Sequence, residues 1–350
     1  LPDDTPLGIV HVDDITAFQP FEGATNRTAA FVLQKSKKTE YGKFTYWMWM
    51  RISGKPGKLP QDATWPEIEE KVAFRQFAAE LVDENDQTSQ WLTGRPLAVR
   101  AVRKVLGRSD HVAHEGCNTG GANGVYWVEV VGERPGGLVV VANITKGAKR
   151  QVESVQAPID NDLLYPLLRG RDVSRWNAAP MAHIVVPQRP DNPKLAIPIA
   201  EMKHKYPKTL LWFQRFEKDL AQRKSRVVME LAEKQGFYFL YSVKDYTLAP
   251  WKVVWRYIAK EMTAAVVGCQ DGKVVIPDHR LMIVPFESPT GAHYLAAVLN
   301  SSIGRYMVAS FAIGTQISTY VLKTIRVPKF DPKDKVHSGL AKLSEQAHKA

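Results

Sequence analysis

Cysteine is scarce in this sequence. Cys117 and Cys269 are its two cysteines in 350 residues. That number rules out a disulfide framework and a cysteine-based zinc site. The nine histidines make no HxxxH pair and no His–Cys cluster. No run approaches the roughly 20 apolar residues of a bilayer span, so no membrane partner is expected. No secretory leader is legible, and the first methionine is Met48, so the chain reads as a piece of a longer protein. Catalytic signatures are missing as well: there is no HExxH, no GxSxG and no usefully spaced Cys/His pair. Asp278 follows Pro277, but the neighbouring Asp271–Gly272–Lys273 triplet comes before it, the reverse of the order that a PD…(D/E)xK nuclease needs.

Acidic charge is the next shortage. Lys and Arg number 47 against 36 Asp and Glu, a net charge of +11. The surplus is uneven, with 13 Lys/Arg against 6 Asp/Glu in residues 201–260. Such a local surplus is the electrostatic footprint of a nucleic-acid partner, and equally a solubilising surface.

Hydrophobic periodicity gives mixed elements. Strands are expected at GIVHV, RTAAFVLQK and TYWMWMRI, with a Lys-rich bend before the third. A Gly/Pro-rich stretch at 54–66 follows, and Thr64 with Pro66 reads as the start of a helix. Apolar spacing predicts helices over 68–81 and 96–106. From 108 onward, VYWVEVV and GGLVVVANI read as a hairpin, residues 161–169 as a helix, and AHIVVPQ as a strand. One long amphipathic helix is expected at 206–234, then strands KVVWRYI, TAAVVGC, KVVIPD and RLMIVPF. The Asp271–Gly272 pair reads as a hairpin turn. A helix at 291–311, a strand TIRVPKF and a closing helix complete the chain. Without strict βαβ alternation, the expected class is α+β, a mixed sheet with packed helices.

One stretch, EGCNTGGANGVYWVEV at 115–130, crowds four glycines ahead of a strand. It is not a Walker A loop, because Ala122 stands where Lys is required. It is not a Rossmann fingerprint, because the first glycine is misplaced and a strand follows. Asn123–Gly124 signals a tight turn, and Gly120–Gly121 permits positive φ or close approach of another backbone. Either turn geometry or backbone N–H contact with phosphates accounts for it. Arg169, Arg171 and Arg175 cluster within seven residues, as solvated charges near a cap or as a phosphate grip. On the strand beginning at Trp251, Trp255 and Tyr257 share a face opposite Arg256.

Five blocks, in this order, resemble the TaqI-like specificity domain of adenine DNA methyltransferases, including type IIG restriction–modification enzymes. EGCNTGGANGVYWVEV stands in the place of its opening block, and LLYPLLRGRDVSRW is similar to its "pyLxGRdi" block. WKVVWRYIAKEMTAAVVG is similar to its central hairpin, YLAAVLNSSIGRYMV to its "LNS" helix, and ISTYVLKTIRVPKF to its closing segment. VDDITAFQPFEGATNRTAAFVLQK resembles the last strands of the methyltransferase domain. The resemblance implies four parts: the end of a methyltransferase domain (1–52), a helical connector (53–107), a target-recognition domain (108–330) and the start of a helical tail (331–350). It implies a parent enzyme that methylates adenine N6 in duplex DNA with S-adenosylmethionine, in a prokaryotic cytoplasm. The family's (N/D/S)PP(Y/F) motif is missing, since no Pro-Pro dipeptide occurs, and Phe21–Glu22–Gly23–Ala24 is one glycine short of its cofactor loop. No catalytic, metal or cofactor residues are therefore assigned.

On this reading, double-stranded DNA is the partner, and a nuclease or methyltransferase domain of the same system is a further one. Arg169, Arg171, Arg175 and the basic 201–260 segment are expected on phosphates. Asn123, Arg256 and Lys260 are expected near base edges, because Arg and Lys suit guanine and Asn suits adenine. Thr119 and Gly120 are placed in the opening turn. Two alternatives stay open: a stand-alone specificity subunit docked to a separate methyltransferase, and a single-strand or RNA binder that stacks bases on its Trp and Tyr rings.

Overall fold

In the computed structural model the Trp–Met–Trp run at 47–49 is a strand, and the segment after it folds back as another. The structure describes residues 7–18, 21, 28–35, 44–52, 59, 62–86, 89–148, 150–311 and 316–350. The Lys-rich bend, the 22–24 part of the Phe21–Ala24 stretch and most of the Gly/Pro-rich stretch lie outside them. Two compact units divide the chain, Leu1–Leu106 and Gly107–Ala350.

The smaller unit runs β1 (Leu7–Asp14), β2 (Ala29–Lys35), β3 (Thr45–Arg51), α1 (Trp65–Glu69), β4 (Val72–Leu81), β5 (Trp91–Gly94) and α2 (Pro96–Arg103). Its sheet has the order β2-β1-β3-β4-β5, and β1 and β3 run parallel. The start of α1 is as expected: the Glu67 carboxylate accepts from Thr64 N at 2.7 Å and Thr64 Oγ1 at 2.8 Å. The helix then stops after Glu69, and the expected helix over 68–81 is mostly strand β4. Cross-strand aromatic packing explains the reversal. Trp49 lies opposite Phe74, edge to face at 5.0 Å, and Trp65 stacks on Phe74 at 5.6 Å. Residues expected as a helical connector thus supply two strands to the sheet of β3.

The larger unit begins with β6 (His114–Glu115), a single helical turn α3 (Asn123–Tyr126), β7 (Trp127–Arg134) and β8 (Leu138–Asn143). Gly136 and Gly137, at φ 81° and 73°, make the β7–β8 turn. There follow β9 (Gln156–Asp160), β10 (Leu164–Leu168), β11 (Val173–Ser174), β12 (Asn177–Ala178) and β13 (Ala182–Val185). The helices α4 (Ile199–Lys205), α5 (Pro207–Arg215), α6 (Glu217–Ala221), α7 (Arg226–Gln235) and α8 (Asp245–Leu248) come next. Strands β14 (Trp251–Arg256), β15 (Ala265–Val267), β16 (Ile276–Pro277) and β17 (Leu281–Phe286) precede α9 (Pro289–Asn300), α10 (Ser302–Phe311), α11 (Val321–Thr324) and α12 (Lys335–Lys349).

The larger sheet has the order β16-β10-β13-β7-β8-β9, and a second has β15-β14-β17-β6. Most neighbours are antiparallel and the helices are not interleaved strand by strand, so the fold is α+β. One core joins Val128, Val141, Ile159, Leu167 and Ile184 of the six-stranded sheet to Leu210, Trp212, Phe213 and Phe216 of the helices.

Three expectations fail here for identifiable reasons. Residues 161–169 are not one helix but a single 3-10 turn, Asn161–Leu163, followed by a strand. Leu164, Pro166, Leu167 and Leu168 are buried in β10, which runs between β13 and β16. The 206–234 helix is three helices whose apolar stripes share one core, which hides the breaks from periodicity. Buried Arg223 holds the α6–α7 junction by donating to Leu220 O, Phe237 O and Phe239 O. Residues 324–330 join no sheet, although Thr324, Leu322 and Val327 accept from the backbone N–H groups of Gly107, Ser109 and Asp110.

Candidate nucleic-acid interface

Chain crossings in the larger unit decide the role of the glycine-rich stretch. A Cβ on Gly116 would lie 2.1 Å from Asp278 O, so the backbones of 116–117 and 277–278 meet closely and Cys117 N donates to Pro277 O. Gly120 and Gly121 have φ of 65° and 86°, and Gly120 N donates to Asn118 Oδ1. The left-handed turn therefore falls at 120–121. Asn123–Gly124, expected as the tight turn, instead opens the helical turn α3.

Two clefts flank this stretch. The larger, of about 520 Å³, is lined by Asn123, Trp127, Ile144, Lys146, Gly147, Ala148, Arg169, Gly170, Arg171, Arg256, Ile258, Asp278 and Arg280. Arg256 enters it from the end of β14, and Lys146 from the loop after β8. Asp278 is 1% exposed, and its Oδ1 accepts from Arg280 N at 2.8 Å. Burial pushes its carboxyl up to about 6, against the pull of the Arg280 N–H and charge. It is the one carboxylate among the described residues of the lining. Arginines and a lysine there suit phosphates and guanine edges, and a carboxylate accepts from base amino groups.

The smaller cleft, of about 480 Å³, is lined by Asn118, Gly120, Gly121, Asn123, Arg150, Lys224, Ser225, Val228, Tyr241, His279 and Arg280. Asn123 and Arg280 belong to both. Among the described residues, no group of three or more His, Cys, Asp or Glu could hold a metal ion, and no helix is long and apolar enough to cross a membrane.

The sequence-based residues divide. Asn123, Arg169, Arg171 and Arg256 come together in the larger cleft, and Gly120 with Asn123 in the smaller. Thr119 is buried, at 3% exposure. Arg169 is also buried, and its Nε is 2.8 Å from Asp172 Oδ2, so that charge is committed to holding the turn that presents exposed Arg171. Arg175 and Lys260 are exposed and line neither cleft.

The 201–260 surplus is also dispersed. Arg223 and Lys252 are buried, Lys205 pairs with Glu201 and Arg226 with Glu230, while Lys224 and Arg256 reach the clefts. Trp212 and Trp255 are core residues, the latter donating to Ile317 O at 3.0 Å, so neither is a stacking platform. Sequence reasoning missed Lys146, Arg150, Lys224 and Arg280 as a group. They come from three loops, the β8–β9, α6–α7 and β16–β17 connections, and no motif links them.

No protein-family profile matches the chain. Over 153 residues, which are 43% of this chain and 30% of the relative, it is 26% identical to the type II methyltransferase M.NspV of Nostoc sp.. Among solved structures it is similar to the type IIL restriction–modification enzyme MmeI in complex with DNA. That likeness has a TM-score of 0.46 and 8% identity, and covers 97% of this chain and 37% of the other. The chain thus spans about a third of the length of each.

Proposed function

We propose that residues 107–350 bind double-stranded DNA as the target-recognition part of an N6-adenine methyltransferase of a restriction–modification or phage-defence system. The observation that carries this reading is the larger cleft. Five cationic side chains, Lys146, Arg169, Arg171, Arg256 and Arg280, converge there with Asn123 and one buried carboxylate. Phosphates need the cations, and base edges need the amide and carboxylate. Arg171 and Arg256 contact the duplex, while Arg169 positions Arg171 through Asp172. The partial identity to a type II methyltransferase supports the methyltransferase setting.

The parent reaction transfers a methyl group from S-adenosylmethionine to an extruded adenine. Among the described residues of the smaller unit, the carboxylates best placed for that cofactor do not fit it. The carboxylates at the end of β1 are already engaged, Asp13 by His11 and Trp49, and Asp14 by Tyr46 and Thr16 N. No residue of this chain is assigned to catalysis or to the cofactor.

The experiment is a duplex titration of wild type and Arg171→Ala/Arg256→Ala across salt concentrations. Each lost phosphate contact lowers the slope of log K against log salt by about 0.9. The double variant is expected to bind at least about tenfold more weakly at about 0.1 M salt, with a slope smaller by one to two contacts. Equal affinity and equal slope would remove the assignment.

A further inference from the structure

The smaller cleft differs in kind from the larger. The larger mixes cations with the buried Asp278 carboxylate and faces the Arg169–Asp172 pair. The smaller presents Arg150, Lys224, Arg280 and His279, and no carboxylate is among its described lining residues. Among the described residues neither Lys224 nor Arg280 makes an ion pair, although the Arg280 charge pulls on the Asp278 carboxyl two residues away.

Arg150 is pinned without being neutralised. Its Nη1 and Nη2 donate to Asp219 O and Gln222 O at the end of α6, which uses two of five guanidinium N–H groups. Those bonds fix its position before any ligand arrives, so little side-chain entropy remains to be lost on binding. Gly120 and Gly121 line the same cleft in left-handed backbone, and Arg223 and Val228 fill the space a side chain on Gly120 would need.

We infer that this cleft is a phosphate seat, distinct from the larger cleft and indifferent to base sequence. Its polar lining offers fixed and unpaired cationic donors, so the group it takes is an anion rich in acceptor oxygens. Two sources supply that chemistry, the phosphodiester backbone of a duplex and a free phosphate ester. If the duplex reading of the larger cleft holds, the shared Arg280 and Asn123 make the two clefts neighbouring stations along one strand. The backbone is then held in the smaller cleft while bases are read in the larger.

The test uses the full chain with Lys224→Ala and Lys224→Arg. Lys224 is exposed and holds no other part of the fold among the described residues, so neither variant is expected to shift the melting temperature. Two duplexes of unrelated sequence are titrated across salt, and inorganic pyrophosphate is titrated separately by thermal shift. Lys224→Ala should weaken both duplexes by the same factor, about three- to tenfold at about 0.1 M salt, and reduce the salt slope by about 0.9. Lys224→Arg should restore both. Pyrophosphate should stabilise wild type more than Lys224→Ala.

Duplex binding with no Lys224 effect on affinity or slope, or with loss confined to one sequence, would overturn the seat and leave the duplex reading standing. Pyrophosphate stabilisation that depends on Lys224, without duplex binding, would keep the seat, make a free phosphate its occupant and remove the duplex reading. Neither duplex nor pyrophosphate binding would remove both.

Discussion

Asp278→Asn should make the protein more stable at neutral pH, an unusual direction for a change at a buried polar residue. Asp278 is 1% exposed, and desolvation pushes its carboxyl up from 3.8 to about 6. Above pH 6 it is nevertheless charged. The folded state binds this proton more tightly than the unfolded state, so stability falls as pH rises from about 4 to about 6 and is level above that. Across that interval the charge costs about 3 kcal/mol.

Asparagine removes the charge and keeps an oxygen for the Arg280 N–H at 2.8 Å. Its own unmet amide hydrogens offset part of the gain, leaving about 1–3 kcal/mol at pH 7.5. For a unit of this size, that is a rise in melting temperature of about 2–4 °C per kcal/mol. At pH 4 the gain should shrink below about 1 kcal/mol, because the folded carboxyl is then protonated. Denaturant unfolding at the two pH values measures this. A loss of stability at pH 7.5, or the same gain at both, would show that the buried charge of Asp278 is not destabilising. A charge retained at such a cost also fits a carboxylate kept for what it contacts.

Two further outcomes follow from the same geometry. Gly116→Ala puts a Cβ 2.1 Å from Asp278 O and 2.5 Å from Pro277 O, both backbone atoms, so urea unfolding should show a loss of about 3 kcal/mol or more. Acid should loosen α12: His348 Nε2 accepts from Val266 N at 2.8 Å, its Nδ1 donates to Ser344 O at 2.7 Å, and His293 contacts Ser344 Oγ at 3.1 Å. Burial lowers the His348 pKa and takes His293 down to about 4, so their support is complete above about 6.5 and is lost as pH falls toward 4. Hydrogen exchange over 340–349, corrected for intrinsic rate, should be faster at pH 5 than at pH 7.5; equal protection would contradict it.

Local chemistry was legible where it was self-contained. Asp271–Gly272 is the expected turn, with φ of 51° and 75° and Gln270 paired to Lys273. The β7–β8 hairpin and the Thr64 helix start are likewise short-range features. What stayed hidden depends on partners distant in sequence. Val72, Phe74 and Phe77 have helical spacing, yet Arg51, Trp49 and Tyr46 on β3 draw them into a strand. Leu164–Leu168 reads as a helix until β13 and β16 are seen on either side. Asp172 divides the arginine cluster into a buried residue paired to it, Arg169, and an exposed one, Arg171, while Arg175 lines neither cleft. Arg280 stands in both clefts, and nothing in a single sequence aligns it with residues 123, 146 or 224.

The salt dependence of wild-type binding to a duplex, with single-stranded DNA as competitor, decides whether the clefts hold DNA. Lys146, Arg171, Arg256 and Arg280 in one cleft, with Arg150 and Lys224 in the other, supply up to six cations. Preference for the duplex and a slope of log K against log salt of about −4 to −5 are expected. A slope near zero, or displacement of the duplex by equimolar single strand, would contradict duplex binding there.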